Sequence, residues 1–245
     1  MGFSLQTFEP LNLQALNHRT AWEKRNDSKF VAHVSVMNAL LQSLTQDYFI
    51  LENEGNRVWH YTTEYWDTLD RNMFYEHHRD RAHRYKVRKR KYGSENGFWL
   101  EVKEKTPDGR TVKHRLFNPS PDELAVFIDT KSPYSHGNLN QALFMDYDRM
   151  TFLHKSLPLK ITLDMNLKAN NGINSVSFRD LIILELKSEK LQAASAAGVI
   201  KPFGLRPSRL SKYCIGMATL HPELKQNAFK PTLLQIQKIT AHGNS

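Results

Sequence analysis

The chain has 245 residues, of which 40% are hydrophobic, and a formal net charge of +9. This length favours a single domain with one core, and the single cysteine, Cys214, excludes an internal disulfide scaffold. The positive charge predicts an anionic partner, for which a polyphosphate, a nucleic acid and a membrane surface are all candidates. The sequence shows no secretory signal and no apolar run near the roughly 20 residues of a membrane helix, so we expect a cytoplasmic protein, free or peripheral to a membrane.

Hydrophobic spacing predicts a helix near the start of the chain and then a run of strands. Apolar residues recur at helical spacing at Val34, Met37, Leu41, Leu44 and Tyr48. They predict a helix over 34–48, after a short strand at 29–31. The period then falls to two, which predicts strands at 58–65, 84–90, 98–105 and 111–117. We therefore expect an antiparallel meander in this half of the chain.

The second half of the sequence predicts more strands and several helices. A short helix is expected at 121–128 and a loop at 131–140, followed by strands at 145–152, 159–167 and 181–187. Further helices are expected at 190–197 and 207–213, and one apolar patch precedes a polar tail after residue 221. The predicted fold class is α+β, an antiparallel sheet with flanking helices.

Basic residues alternate with apolar ones along three successive strands. Side chains two residues apart on a strand share a face. The first strand would project Arg84, Lys86, Arg88 and Arg90 together, the second Glu101, Lys103 and Lys105, and the third Lys113 and Arg115. If the sheet closes on itself, this face becomes an interior whose like charges need a multivalent anion. If it stays outside, the same residues form a solvated face that could bind an RNA backbone.

One further strand combines charge with an apolar sequence. Glu185 and Lys187 lie in LIILELK, where an unpaired charge is hard to tolerate. In a phosphate tunnel, the carboxylate of Glu185 would instead serve as an oxygen ligand for Mg²⁺ or Mn²⁺. The strand therefore adds a candidate metal ligand to the basic face.

Histidine and aromatic residues near the basic strands carry weaker predictions. The spacing of His77, His78 and His83 fits no standard zinc site, so we expect these side chains to face solvent or to contact phosphate. Phe98 and Trp99 are expected in the core, across from the basic face, whereas nucleic-acid binders interleave aromatic and basic side chains. On this ground we expect no nucleic-acid partner.

The sequence contains a series of motifs in order from residue 25 to residue 216. They are RNDSKF, YTTEYWDT, the Tyr75, His77 and His78 group, RYKVRKRKY, FWLEVKEK, GRTVKHRL, YDR, KITLD, LIILELK and LSKYCIGM. This series resembles that of the VTC-domain polyphosphate polymerases, relatives of the CYTH triphosphate tunnel metalloenzymes. The resemblance implies an antiparallel β-barrel, the triphosphate tunnel, at 25–220, with an N-terminal extension at 1–24 and a C-terminal helix and tail at 221–245.

The resemblance also implies an activity, which is transfer of the γ-phosphate of ATP onto inorganic polyphosphate with Mn²⁺ or Mg²⁺. The residues that stand at phosphate-binding family positions are Lys29, Arg88, Arg90, Lys103, Lys113, Arg149, Lys160 and Lys212. Secondary substrate contacts on the same projected faces are Lys86, Lys105, Arg115 and Lys187. Glu185 matches the metal-binding glutamate of the family, and Glu101 is a second candidate ligand.

Two features leave other functions open. Lys160 stands where the family usually has arginine, so the charge is kept but the bidentate fork is lost. Water entering the tunnel would turn the same site into a triphosphatase or a nucleoside triphosphate hydrolase. A noncatalytic module that binds polyphosphate, or a basic RNA-binding protein, would also fit the charge pattern.

Overall fold

The protein folds into one largely antiparallel sheet of eleven strands, flanked by helices. The structure is a computed structural model that describes residues 3–22, 25–93, 95–189 and 198–241. The strands are β1 (Glu9–Leu11), β2 (Arg25–His33), β3 (Tyr48–Leu51), β4 (Trp59–Thr68), β5 (Arg84–Tyr92), β6 (Trp99–Lys105), β7 (Thr111–Phe117), β8 (Leu139–His154), β9 (Leu159–Asn170), β10 (Ser175–Phe178) and β11 (Leu181–Glu189). The helices are α1 (Leu13–Arg19), α2 (Met37–Leu44), α3 (Asn72–His78), α4 (Pro121–Lys131), α5 (Lys212–Leu220) and α6 (Lys230–Ala241). None of these described helices has the length and apolar character needed to cross a membrane.

The sheet is a curled, open version of the predicted barrel. Its main path runs β2-β11-β9-β8-β4-β5-β6-β7, and in the described part of the chain the end strands β2 and β7 do not pair, so hydrogen bonds do not close the barrel. The inward-facing Lys113 and Arg115 give β7 the charged character of an unpaired edge strand. The two ends of the sheet still approach each other. Burial lowers the pKa of Lys103 of β6, and Lys29 of β2 is close enough for its positive charge to lower that pKa further. The α+β antiparallel fold with flanking helices is confirmed.

Helices α3 and α4 cover the outer face of β5 and β6. Val87 and Leu100 point to this side and are fully buried in a cluster with Ile128 of α4. Helix α4 begins where it does because the Ser120 side chain accepts the Glu123 backbone N–H, while the Glu123 carboxylate accepts the Ser120 backbone N–H. The apolar half of the alternating pattern is therefore outside, and the basic half faces inward.

Helix α5 packs against the inner face of the sheet. Tyr213 and the Cys214 thiol are buried in one apolar cluster with Leu143 of β8. Gly216 makes this close packing possible, because a Cβ atom there would lie 2.6 Å from the Leu143 side chain. The helix thus fills part of the interior and places its first residue, Lys212, beside the basic face.

Two predicted helices differ from the structure, since one ends early and the other does not form. The helix predicted over 34–48 ends at Leu44, and Tyr48 begins β3, where it is buried. The helix predicted over 207–213 does not form, because Pro207 bridges to Phe30 of β2 and α5 starts only at Lys212. In both cases pairing with a distant strand overrides the local pattern. The helix predicted over 190–197 lies outside the described residues.

Elements that depend on distant contacts were not predicted. These are β1, β3, β10, α1 and α3. Helix α3 is held by Asp67 at the end of β4, whose carboxylate accepts the backbone N–H groups of Met73 and Phe74 and the hydroxyl of Tyr213. Asp67 is fully buried, and Tyr213 lies 146 positions away. A seven-residue helix stabilised in this way has no clear periodic signal.

Candidate active site

The inner faces of β4 to β7 present charged side chains in rows across the strands. Residues directly opposite each other in neighbouring strands share a face. One row contains Tyr65, Arg88, Glu101 and Arg115, and the next contains Lys86, Lys103 and Lys113. We call the cations of these rows, together with Lys29, Arg90, Arg149 and Lys212, the basic channel. The predicted alternation along β5 and β6 is confirmed, since Val87, Leu100 and Val102 are buried on the opposite face.

Glu101 is the fully buried centre of one group of cations. Its Oε2 atom accepts hydrogen bonds at 2.6 Å from Arg88, and Arg90 Nη1 lies 3.7 Å from the same oxygen. Lys113 Nζ is 3.5 Å from Oε1. Burial alone would raise the pKa of Glu101, but Arg88 and Arg90 hold it at about 2. This second candidate metal ligand therefore holds three of the predicted phosphate-binding cations in place.

Asp164 holds a second group of cations in the basic channel. Arg149 donates to both of its oxygens, from Nε at 2.5 Å and from Nη2 at 2.8 Å, and Lys212 donates to Oδ2. Burial alone would raise the pKa of Asp164, but Arg149 and Lys212 keep it below its usual value. Asp164 is the last residue of the KITLD motif, and no role was predicted for it from the sequence. Its partner Lys212 is 48 positions away and on a helix, so spacing alone could not identify the contact.

Lys86 and Lys103 differ from these paired cations. Within the described residues, neither forms an ion pair with a carboxylate. Burial, together with the positive charges of Lys29 and Arg88, lowers the pKa of Lys86 to about 7. Burial, Lys29 and Lys86 lower the pKa of Lys103 well below its usual value. Lys29 lies beside these amines and donates to the Leu210 carbonyl at 3.0 Å. Positive charge on Lys86 and Lys103 is therefore disfavoured until an anion binds.

His77 borders the same pair of lysines. Its Nε2 atom is inaccessible to solvent and has no hydrogen-bond partner among the described residues. Burial, followed by Lys86 and Arg84, lowers the pKa of His77 far below its usual value, so the ring is neutral. The sequence predicted that His77 faces solvent or contacts phosphate. Because its Nε2 atom is buried, contact with phosphate is the alternative that stays a prediction.

Glu185 is the acidic residue that faces Lys29 across the β2–β11 pair. Lys187 Nζ lies 3.3 Å from its Oε2 atom. Burial alone would raise the pKa of Glu185, but Lys187 and Lys29 hold it well below its usual range, so the carboxylate is ionised. The described residues contain no group of three or more His, Cys, Asp or Glu side chains arranged to hold a metal ion. A single ionised carboxylate does fit Mg²⁺ or Mn²⁺ that is bound mainly by substrate phosphates and water.

The remaining predicted residues lie at the margins of the basic channel. Lys160 donates to the Thr20 hydroxyl at 3.4 Å. Lys105 ends the inner face of β6, one row beyond Lys103. Arg115 is exposed, and its guanidinium lies over the Trp99 ring at 4.6 Å. These residues are less enclosed than those around Glu101.

Aromatic residues also belong to the inner face, which the sequence analysis did not predict. Trp99 shares the face of Glu101 and Lys103, so its expected place in the core across from the basic face is wrong. Tyr147, two residues before Arg149 in the YDR motif, lies under the Lys212 amine at 4.6 Å. Burial would raise the pKa of Tyr147, but Arg90 and Arg149 lower it. Because Tyr147 and Arg149 are two residues apart on one strand, the sequence could have predicted that their side chains share a face.

One known family matches most of the chain. The VTC domain family matches the chain over residues 24–142 and 124–221. The chain belongs to the VTC domain family. This membership confirms the resemblance that the ordered motifs indicated, and the cations of the basic channel lie within the matched residues.

Three solved structures are similar to the chain at low sequence identity. The putative adenylyl cyclase HpAC1 from Hippeastrum, described as having a dominant triphosphatase activity, aligns with 79% of this chain and 95% of its own, with 13% identity and a TM-score of 0.51. The PH1819 protein from Pyrococcus horikoshii OT3 covers 79% of this chain and 99% of its own at 12% identity and a TM-score of 0.47. A putative adenylate cyclase from Bacillus halodurans covers 77% and 94% at 13% identity and a TM-score of 0.47. The first likeness shows that this VTC domain shares its fold with HpAC1. No curated protein matches the chain by sequence.

Proposed function

We propose that this VTC domain is a polyphosphate polymerase that transfers the γ-phosphate of ATP onto a growing inorganic polyphosphate in the basic channel. The observation that carries the proposal is the pair Lys86 and Lys103, which lie among other cations without an ion-paired carboxylate in the described residues. Such a site is electrostatically incomplete until a polyanion binds. Membership of the VTC family supports phosphate chains as that polyanion.

The arginines would position the reacting phosphates. Phosphoryl transfer needs accurate placement and neutralisation of charge more than it needs covalent help from the protein. Arg88 and Arg149 present planar, bidentate donors, and buried Glu101 and Asp164 hold those donors in fixed orientations. We therefore assign them to orienting the phosphate groups that flank the bond to be broken.

The lysines would stabilise the charge that moves during transfer. A lysine amine is a compact point charge that makes no planar fork, so it tolerates a chain that shifts by one phosphate each cycle. Lys86 and Lys103 would become fully protonated when phosphate binds, and they would then stabilise the transferred group. The attacking oxygen belongs to a terminal phosphate that is already ionised at neutral pH, so no protein base is required.

Glu185 would hold the divalent metal that the family implies. Its carboxylate is ionised inside the channel, whereas Glu101 is already engaged by three cations. When bound, Mg²⁺ or Mn²⁺ supplies Lewis-acid polarisation of phosphate oxygens. Lys187 and Lys29 beside Glu185 would then contact the same phosphates from the protein side.

A triphosphatase is the competing function. The structural relative HpAC1 is described as having a dominant triphosphatase activity, and water in the same channel would compete with the acceptor phosphate. The edge between β2 and β7 is unpaired in the described chain, which gives water a route. The two activities differ in their products, so one assay separates them.

The test incubates purified protein with ATP and Mn²⁺, resolves products on a polyphosphate-stained gel, and measures ADP and free phosphate. We expect long chains together with ADP, and we expect their loss in Glu185→Gln. Glu189→Gln, on an exposed position of the same strand, is the matched control and should keep activity. Free phosphate without chains would favour the triphosphatase, and binding of polyphosphate without turnover would favour a noncatalytic module.

A further inference from the structure

Aromatic residues join Arg90 at one end of the inner face of β4 to β7. Next to the row of Arg88 and Glu101 lies a row that contains Thr63, Arg90, Trp99 and Phe117, and Tyr61 pairs with Tyr92 one row further out. We call Tyr61, Tyr92, Trp99 and Phe117 the aromatic end. In the other direction the rows continue with Lys86 and Lys103. Along the strand direction, the inner face therefore changes from rows with aromatic rings at one end to rows with lysine amines at the other.

The rings of the aromatic end pack on one another: Phe117 is exposed, and Trp99, Tyr61 and Tyr92 are half-buried. The Trp99 and Phe117 ring centroids are 4.9 Å apart, as are those of Tyr61 and Tyr92. Phe117 is 46% exposed, although large apolar side chains in a core are almost fully buried. The exposed Arg115 lies over the Trp99 ring at 4.6 Å, so a long polar side chain contacts one face of the indole. Tyr61 packs against the core, but core packing alone does not explain the exposed Phe117 and the half-buried Trp99.

We propose that the aromatic end is a nucleobase-binding subsite that takes the base of the donor nucleoside triphosphate. This inference rests on the proposed function, in which the phosphate donor is a nucleotide. A base is a flat ring that stacks on Trp99 and Phe117, and such stacking tolerates different bases because each has a π-face. Arg115 would leave the indole face and meet the phosphate nearest the ribose.

The spacing along β6 fits one ligand that joins a base to a triphosphate. Trp99 and Lys103 are four residues apart on a strand, which corresponds to roughly 13 Å. A base on Trp99 would send its phosphates past Arg88 towards Lys103, so the terminal phosphate reaches the lysines. Inorganic polyphosphate has no base, so it would use the basic rows without the aromatic end. The subsite therefore separates the donor from the product.

Binding measurements on paired ligands test the subsite. Isothermal titration would compare a nonhydrolysable ATP analogue with inorganic tripolyphosphate on wild type, Trp99→Ala, Trp99→Phe and Phe117→Ala. We expect Trp99→Ala to weaken the ATP analogue about tenfold, through loss of one stacked base. Tripolyphosphate should bind within about twofold of wild type, and Trp99→Phe should restore most of the nucleotide affinity. Phe117→Ala, at an exposed edge position, provides a second variant if Trp99→Ala does not fold.

The outcomes separate failure of the subsite from failure of the proposed function. Equal weakening of both ligands, or no weakening of the ATP analogue in Trp99→Ala and Phe117→Ala, would overturn the subsite while leaving a phosphate-binding channel in place. If wild type binds neither ligand, the proposed function fails as well. Trp66→Phe, on the outer face beneath Lys89, is the control and should leave both affinities unchanged.

Discussion

The cations of the basic channel fall into two regions that differ in how their charge is balanced. In the first region, Arg88 and Arg149 contact buried carboxylates, Glu101 and Asp164, at 2.5 to 2.8 Å. In the second region, Lys86 and Lys103 have no carboxylate at ion-pair distance among the described residues, and burial lowers the pKa of both. The first region is complete in the ligand-free protein, whereas the second requires a bound anion.

This difference assigns different work to chemically similar side chains. Paired guanidinium groups have fixed orientations and keep their charge, so they can define where a phosphate lies. Unpaired, buried amines repel one another, so binding of negative charge there releases the most free energy. The channel thus combines rigid positioning with strong attraction for a polyanion.

The largest effect is expected in the paired region, from Glu101→Gln. This change leaves Arg88, Arg90 and Lys113 without their shared buried counter-charge, which should lower the free energy of unfolding by about 3–5 kcal/mol. Urea denaturation followed by circular dichroism measures it. Glu104→Gln on the neighbouring outward position, which pairs with His83, should change stability much less. Similar effects for both variants would mean that Glu101 does not hold the arginines.

Lys103→Met should act in the opposite direction on the ligand-free protein. Removing an amine that is disfavoured in the folded state should raise the melting temperature by a few degrees, while the affinity for tripolyphosphate should fall at least about tenfold. Thermal melts and titration calorimetry on the same samples give both values. Lys91→Met, at an exposed outward position of β5, should change neither. A Lys103→Met protein that is less stable yet binds normally would contradict the assignment of this region.

The features of the two regions that follow from alternation along a strand were predicted from the sequence, and those that depend on distant contacts were missed. Period-two alternation placed Arg88, Lys103 and Glu101 on one face, and the strand over 111–117 has the predicted bounds. The pairing of Lys212 with Asp164 joins a helix to a strand, so no period could indicate it. Trp99 was misplaced because its hydrophobic character suggested the core, although its register with Glu101 already fixed its face.

A smaller effect is expected from pH. Because Lys86 has a pKa of about 7 in the folded chain and 10.5 as an unperturbed side chain, the unfolded state binds more protons between these values. The unfolding free energy of the ligand-free protein should therefore rise as pH increases from about 7 to about 9. Tripolyphosphate favours the charged amines, so its binding should take up protons and weaken over the same range.

Calorimetry in two buffers of different ionisation enthalpy measures this proton uptake. Lys86→Met should reduce it, because one of the two titrating amines is removed. Proton uptake that is unchanged in Lys86→Met would place the titrating group elsewhere.

The smallest effect is expected from Lys160→Arg at the margin of the channel. An arginine restores the planar fork usual at this family position, so affinity for tripolyphosphate should increase about two- to fivefold. The change should leave the melting temperature of the ligand-free protein nearly constant. A loss of affinity would show that the amine of Lys160, which contacts the Thr20 hydroxyl, is needed in its present position.

The most direct test of the central claim is a thermal melt of the ligand-free wild-type protein titrated with inorganic tripolyphosphate at constant ionic strength. If the lysine region is a polyanion site, the melting temperature should rise by several degrees, should saturate with one ligand per chain, and should rise far less in Lys103→Met. A rise no larger than that produced by chloride of equal ionic strength would contradict the account.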